Sequence, residues 1–168
     1  MQKSVPDYAL LYRVSDSAQA FGGNSTLRFS VKNPFDFILW DSKRHILYAL
    51  ELKTVAGKSI SFERSKDERG EIHFHQINGL LAWSKYSGTR CGFLIEFREL
   101  EKTIFLDIVE FSRLISKISK NSFNYSDLEM YDIKYYGIPQ KKAITRYTYD
   151  IESLLRTSDF AEEDKNGI

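Results

Sequence analysis

Two short runs constrain this chain more than any other feature. Asp36 to Asp41 and Ile46 to Thr54 are rich in aromatic and aliphatic residues, and the polar connection Ser42-Lys43-Arg44-His45 joins them, which describes a β-hairpin. A loop of that length sets the register: Asp41 pairs with Ile46, and counting back along both strands brings Asp36 opposite Glu51. Side chains alternate along a strand, so Glu51 and Lys53 share one face while Leu50 and Leu52 share the other. Directly opposed residues point to the same side, with Cβ atoms roughly 5 Å apart. The hairpin therefore gathers two carboxylates and an ammonium. A loop one residue longer or shorter would set Asp36 against Leu50 or Leu52 and disperse the group.

Around this hairpin the pattern is mixed. Tyr8 to Val14, Leu27 to Val31, Arg90 to Phe97 and Thr103 to Ile108 read as strands. Apolar residues at Ile77, Leu80, Leu81 and Trp83 predict a helix over Phe74 to Tyr86, ended by Gly88, and Phe111, Leu114, Ile115 and Ile118 predict another over Glu110 to Lys120. Lys58 to Glu71 is charged and contains Gly70, so it reads as a flexible loop. Residues 121–148 leave the secondary structure open, and Tyr149 to Arg156 fits a last helix. The sum is an α/β fold, with a mixed central sheet of about five strands flanked by helices. One domain over residues 1–157 accounts for it, followed by an acidic, disordered tail at 158–168 that holds Asp159, Glu162, Glu163 and Asp164.

Composition excludes several classes. The single cysteine, Cys91, rules out an intramolecular disulfide and a cysteine zinc site, and its apolar surroundings make it a core thiol. No apolar run reaches the length of a membrane span and no secretory signal is visible, so the expected location is the cytoplasm. The net charge of +1 by itself indicates no nucleic-acid partner, but the acidic tail masks a mildly basic body. Its basic residues cluster around Lys58, Arg64 and Lys66, and again at Lys141, Lys142 and Arg146.

Paired carboxylates repel, and a hard divalent cation such as Mg²⁺ reverses that cost. Held there, the ion would polarise a phosphate oxygen and acidify a water, while Lys53 would orient that water or stabilise charge on phosphorus. The chemistry indicated is phosphodiester hydrolysis with no small-molecule cofactor. Taken alone, a Glu-x-Lys tripeptide fits a salt-bridged strand edge better, and only Asp36 at hairpin distance and the apolar flanks of the strand narrow that gap.

The runs Asn33-Pro-Phe-Asp-Phe-Ile-Leu-Trp-Asp41, Leu47-Tyr-Ala-Leu-Glu-Leu-Lys-Thr54 and Ile72-His-Phe-His-Gln76, with Gly92 to Phe97 after them, resemble the RecU-type Holliday junction resolvases. These belong to the PD-(D/E)xK nucleases, whose core is restriction-endonuclease-like. The resemblance covers about residues 10–155 and is strongest over 33–97. It implies a DNA-cutting homodimer of bacterial or phage origin that uses Mg²⁺, with Mn²⁺ as a substitute, on four-way junctions in recombination or repair. It assigns catalysis to Asp36, Glu51, Lys53 and Gln76, metal binding to Asp36 and Glu51, and supporting roles to Thr54 and His75. For Gln76 a plain helix-start residue, and for His73 and His75 ordinary surface histidines, are the competing readings. DNA contacts are expected from Arg28, Lys58, Arg64, Lys66, Lys141, Lys142 and Arg146. Two departures stand out. The family's N-terminal helix with its glycine and acidic residue has no convincing counterpart, Asp7 and Asp16 being the nearest acids. The family's basic stalk corresponds to a short span, Ser15 to Lys32, in which only Arg28 and Lys32 are basic. A related nuclease acting on duplex or flap DNA, and a catalytically weak DNA-binding relative, are the alternatives.

Overall fold

The computed structural model describes residues 5–14, 33–142 and 147–156. The hairpin forms in the expected register: β2 (Phe37–Asp41) pairs antiparallel with β3 (Ile46–Val55), Asp41 against Ile46 and Phe37 against Leu50. Asp41 ties the turn. Its buried carboxylate accepts from the backbone N–H groups of Lys43 (3.0 Å) and Arg44 (3.2 Å) and from the Arg44 guanidinium (3.0 Å), so the buried charge is fully paired. His45 closes the turn in the left-handed region at φ 55°.

β3 lies at the centre of a six-stranded sheet. On one side β1 (Ala9–Arg13) flanks β2. On the other, β5 (Thr89–Phe97) runs parallel to β3, and β6 (Lys102–Asp107) and β8 (Tyr136–Ile138) complete the sheet antiparallel. A parallel pair needs a crossover, which α1 (Phe74–Trp83) supplies. α2 (Ile108–Lys117) follows β6, its first turn capped by the Asp107 carboxylate, which accepts from Val109 N–H at 2.9 Å. The expected α/β architecture, a mixed sheet flanked by helices, is what the chain adopts.

The sheet buries both faces. One packs Ala49, Phe93, Ile95 and Leu106 beneath α1 and α2, with the Phe93 and Phe111 rings 4.8 Å apart edge-to-face. The other packs Tyr48, Leu50, Leu94 and Phe105 against Ile151, Leu154 and Leu155 of a last helix at residues 151–156. Cys91 is fully buried, and burial pushes its thiol up to about 11, so it stays protonated at neutral pH.

Several expectations need correction. The sheet has six strands rather than about five. The charged stretch after β3 is not an unstructured loop: β4 (Ser59–Ser61) pairs with β7 (Ser122–Asn124), and Phe62 bridges to Ile72. The reason is burial. Ile60, Phe62 and Ile72 are apolar residues spaced among the charges, and they join Phe111 and Phe123 in the core. The ambiguous region holds β7, the short helix α3 (Tyr125–Met130), β8, and a two-stranded ribbon of β9 (Gln140–Lys142) and β10 (Tyr147–Tyr149). The strand expected at Leu27 to Val31 and the tail expected at 158–168 lie outside the described residues. No helix among the described residues is long and apolar enough to cross a membrane.

Candidate active site

Glu51 and Lys53 project from the middle of β3 toward the helical side of the sheet, in register with Phe93 and Ile95 of β5. Alternation puts them there, as the sequence implies. Glu51 is 4% exposed, and a carboxylate so buried requires partners. It has them: Lys53 Nζ stands 3.1 Å from Glu51 Oε1, and Gln76 Nε2 donates to the same oxygen.

Asp36 lies just before β2, its backbone N–H donating to Leu50 O at 3.1 Å, which continues the ladder to the position opposite Glu51. One carboxylate oxygen accepts from Leu52 N–H at 2.9 Å. The side chain thus takes the place of a missing strand partner beyond the end of β2, and β3 itself holds the carboxylate at its edge.

Gln76 arrives from a different element. It is the third residue of α1, and its Oε1 accepts from His73 N–H at 2.9 Å, one of the donors that a helix start leaves over. An amide whose oxygen is spent on a backbone donor must turn its NH₂ the other way, and here that way is Glu51. Glu51, Lys53 and Gln76 therefore meet from β3 and α1, and Asp36, just before β2, is bonded to the β3 backbone at Leu52, opposite Glu51 in the ladder.

Other candidate residues are placed differently. Thr54 is on the opposite face from Lys53, and its hydroxyl donates to Glu96 Oε2 at 3.3 Å. Strand alternation forbids the Lys and the Thr that follows it from serving the same face, so the expected support from Thr54 is not direct. His75 stacks on His73, ring centroids 5.5 Å apart, at the start of α1. Lys58, Lys66, Lys141 and Lys142 are exposed, with Lys142 Nζ 3.7 Å from Glu101. Arg28 and Arg146 lie outside the described residues.

Arg64, expected as a DNA contact, is exposed and also has a structural part. Its guanidinium donates to Asn121 Oδ1 (2.7 Å) and to the carbonyls of Ile115 (2.9 Å), Ile118 (2.6 Å) and Lys120 (3.1 Å). Two of these bonds, to Ile115 and the C-cap Ile118, hold the C-terminal end of α2, where free carbonyls and the helix dipole both favour a cation, and the other two tie down the segment that follows it. Arg64→Ala should cost roughly 2–3 kcal/mol in urea unfolding. Under the expectation of DNA binding, the salt dependence tests both groups: neutralising Lys141 and Lys142 should lower the slope, and an unchanged slope for Arg64→Ala would leave Arg64 with its structural part alone.

Sequence reasoning missed Glu63. It lies in the stretch expected to be flexible, yet its carboxylate accepts from His73 Nδ1 and from Phe74 N–H, both at 2.8 Å. Burial would raise its pKa, but these bonds and the charge of His73 outweigh that and hold the carboxyl below the usual glutamate range. The only hint was an acidic residue upstream of a helix start, too far away along the chain to read as a cap.

As a metal centre the donor set is lean. No group of three or more His, Cys, Asp or Glu side chains converges among the described residues. The Asp36 and Glu51 carboxylates still fit Mg²⁺, which keeps several waters and is commonly held by one or two carboxylates together with substrate phosphates. They fit zinc poorly, since it favours nitrogen and sulfur ligands.

No protein-family model matches the chain, and no curated protein is similar to it in sequence. Among solved structures it is similar to that of Hjc from Archaeoglobus fulgidus, described as a Holliday junction resolvase from an archaeal hyperthermophile. The two share 13% identity over 77% of this chain and 83% of that one, with a TM-score of 0.44.

Proposed function

We propose that this chain is a metal-dependent endonuclease that hydrolyses DNA phosphodiesters and resolves four-way junctions, acting as a homodimer. The observation that carries the reading is the convergence at β3: Asp36 at the hairpin edge, and Glu51 buried with Lys53 and Gln76 both on one of its oxygens. Such an arrangement is costly to build for stability alone. It places a buried carboxylate near a second acid and needs a lysine and a glutamine to hold it.

Asp36 and Glu51 would hold a divalent ion, with Mg²⁺ favoured by their oxygen donors and Mn²⁺ able to replace it. When bound, that ion supplies positive charge against the scissile phosphate and makes water a stronger acid. Gln76 keeps the Glu51 carboxylate in one orientation. Lys53 carries a fixed ammonium that orients the attacking water and offsets the negative charge growing on the phosphoryl oxygens. The residual reading is a related nuclease indifferent to branching, which the short basic span before the hairpin favours.

The test is cleavage of end-labelled four-way, flap and linear duplex DNA with Mg²⁺ or Mn²⁺. Paired, symmetric nicks on the four-way substrate support junction resolution. Equal cutting of all three keeps the nuclease and removes the junction. No cutting of any of them under either ion removes both.

A further inference from the structure

We propose that Glu63 is a positioning residue for this site, acting through the first turn of α1 and the Gln76 carboxamide on the orientation of Glu51. The inference rests on the nuclease reading above for its kinetic consequence, but its geometric half stands without it.

Glu63 follows β4 at the mouth of a loop whose two ends are tied together. Glu63 N–H donates to Ile72 O at 2.9 Å, and Ile72 N–H to Ser61 O at 3.0 Å. Gly70 makes the closure possible, since a Cβ there would stand 2.7 Å from the Phe62 backbone. The loop therefore presents the Glu63 carboxylate to the start of α1 from a fixed base. One oxygen takes His73 Nδ1 at 2.8 Å and Gly70 N–H at 3.3 Å, and the other takes Phe74 N–H at 2.8 Å. An ionised carboxylate is also favoured at the positive end of a helix.

The bonds at the helix start are shared between Glu63 and His73. Glu63 satisfies the Phe74 N–H and fixes the ring of His73, while the His73 N–H goes to Gln76 Oε1. Glu63 supplies the acceptor for the Phe74 N–H and ties the His73 ring, so the His73 backbone stays where it can hold the Gln76 oxygen. The bonds run in one line, from Glu63 to His73 to Gln76 to Glu51. Without the first of them, the N-terminal turn can fray and the Gln76 carboxamide can rotate. The buried carboxylate would then keep Lys53 but lose the donor that fixes its orientation.

The test is a double-variant cycle on the full chain. Glu63→Gln should lower the single-turnover rate of DNA cleavage about tenfold, with KM little changed, and Gln76→Ala should lower it about 10- to 100-fold. Combined, they should cleave no more slowly than Gln76→Ala alone, because the first acts only through the second. Glu63→Asp, whose shorter side chain keeps the charge, should recover part of the rate. Multiplying effects, or a wild-type rate for Glu63→Gln, would overturn the proposal. Thermal unfolding of the same four proteins is the independent arm: the Tm losses should be less than additive by about 2 °C or more. Additive Tm losses would overturn it as well. A chain that cleaves no DNA removes the nuclease reading, and the Tm cycle then decides alone whether Glu63 and Gln76 act as one unit.

Discussion

Replacing Lys53 with alanine is expected to lower the single-turnover rate of DNA cleavage by about 10²- to 10³-fold, the usual cost of one preorganised charge at a reacting phosphate. Binding to the same DNA should change only severalfold, because phosphate affinity is spread over many exposed cations. The substitution has a second consequence that a surface lysine would not have. Glu51 and Lys53 side chains are only 5% and 14% exposed, so removing the ammonium takes the paired cation from a buried carboxylate. Breaking such a pair costs roughly 3 kcal/mol. A divalent ion that binds only the folded chain would restore part of this, so millimolar Mg²⁺ should raise the Tm of Lys53→Ala more than that of the wild type. Asp36→Asn should lose the response to the ion altogether. Thermal unfolding with and without Mg²⁺, beside a cleavage time course, checks both. A folded Lys53→Ala protein that cuts at the wild-type rate would take Lys53 out of the chemistry.

Gly79→Ala is the other large effect, and local reasoning gets its sign wrong. In an isolated helix the change would stabilise by about 1 kcal/mol. Here a Cβ at residue 79 would stand 2.2 Å from Pro34 Cβ and 3.0 Å from Pro34 Cα. Carbon atoms rest at about 3.5–4.0 Å, and the proline ring cannot turn aside, so α1 must retreat by more than about 1 Å. The two ends of that contact both lead to the site: Pro34 precedes Asp36 by two residues, and Gln76 lies one helical turn before Gly79. Overpacking should outweigh the propensity gain and leave a net loss of about 1–2 kcal/mol, or roughly 2–8 °C in Tm. Cleavage should fall at least tenfold, since displacement on this scale disrupts positioned groups. A variant both more stable and fully active would show that the close approach of α1 to Pro34 serves neither purpose.

How much of the site the sequence discloses depends on how far apart the interacting residues are. The hairpin register could be read because a four-residue turn and strand alternation are local properties, and Asp41, which anchors the turn, sits at its edge. The same alternation shows why Thr54 turns to Glu96 on the far face although it follows Lys53 directly. Gln76 could be placed at a helix start, but nothing near it in sequence announces its bond to Glu51, 25 residues away. The structural parts of Arg64 and Glu63 went unread for a related reason. In a charged stretch both look like solvated side chains, yet one caps the end of α2 and the other the start of α1, across separations no local pattern encodes. The buried Ile60, Phe62 and Ile72 make that possible by pinning the stretch to the core.

The sequence by itself determined the strands of the hairpin, their alternation and the turn that brings Asp36 opposite Glu51, because steric preference and hydrophobic period act over a few residues. Tertiary structure alone decided which charges are buried and which donors reach them. Those choices follow from α1 and the loop after β4 packing on the sheet, where burial makes every unpaired polar group costly and so selects the arrangement in which each finds a partner.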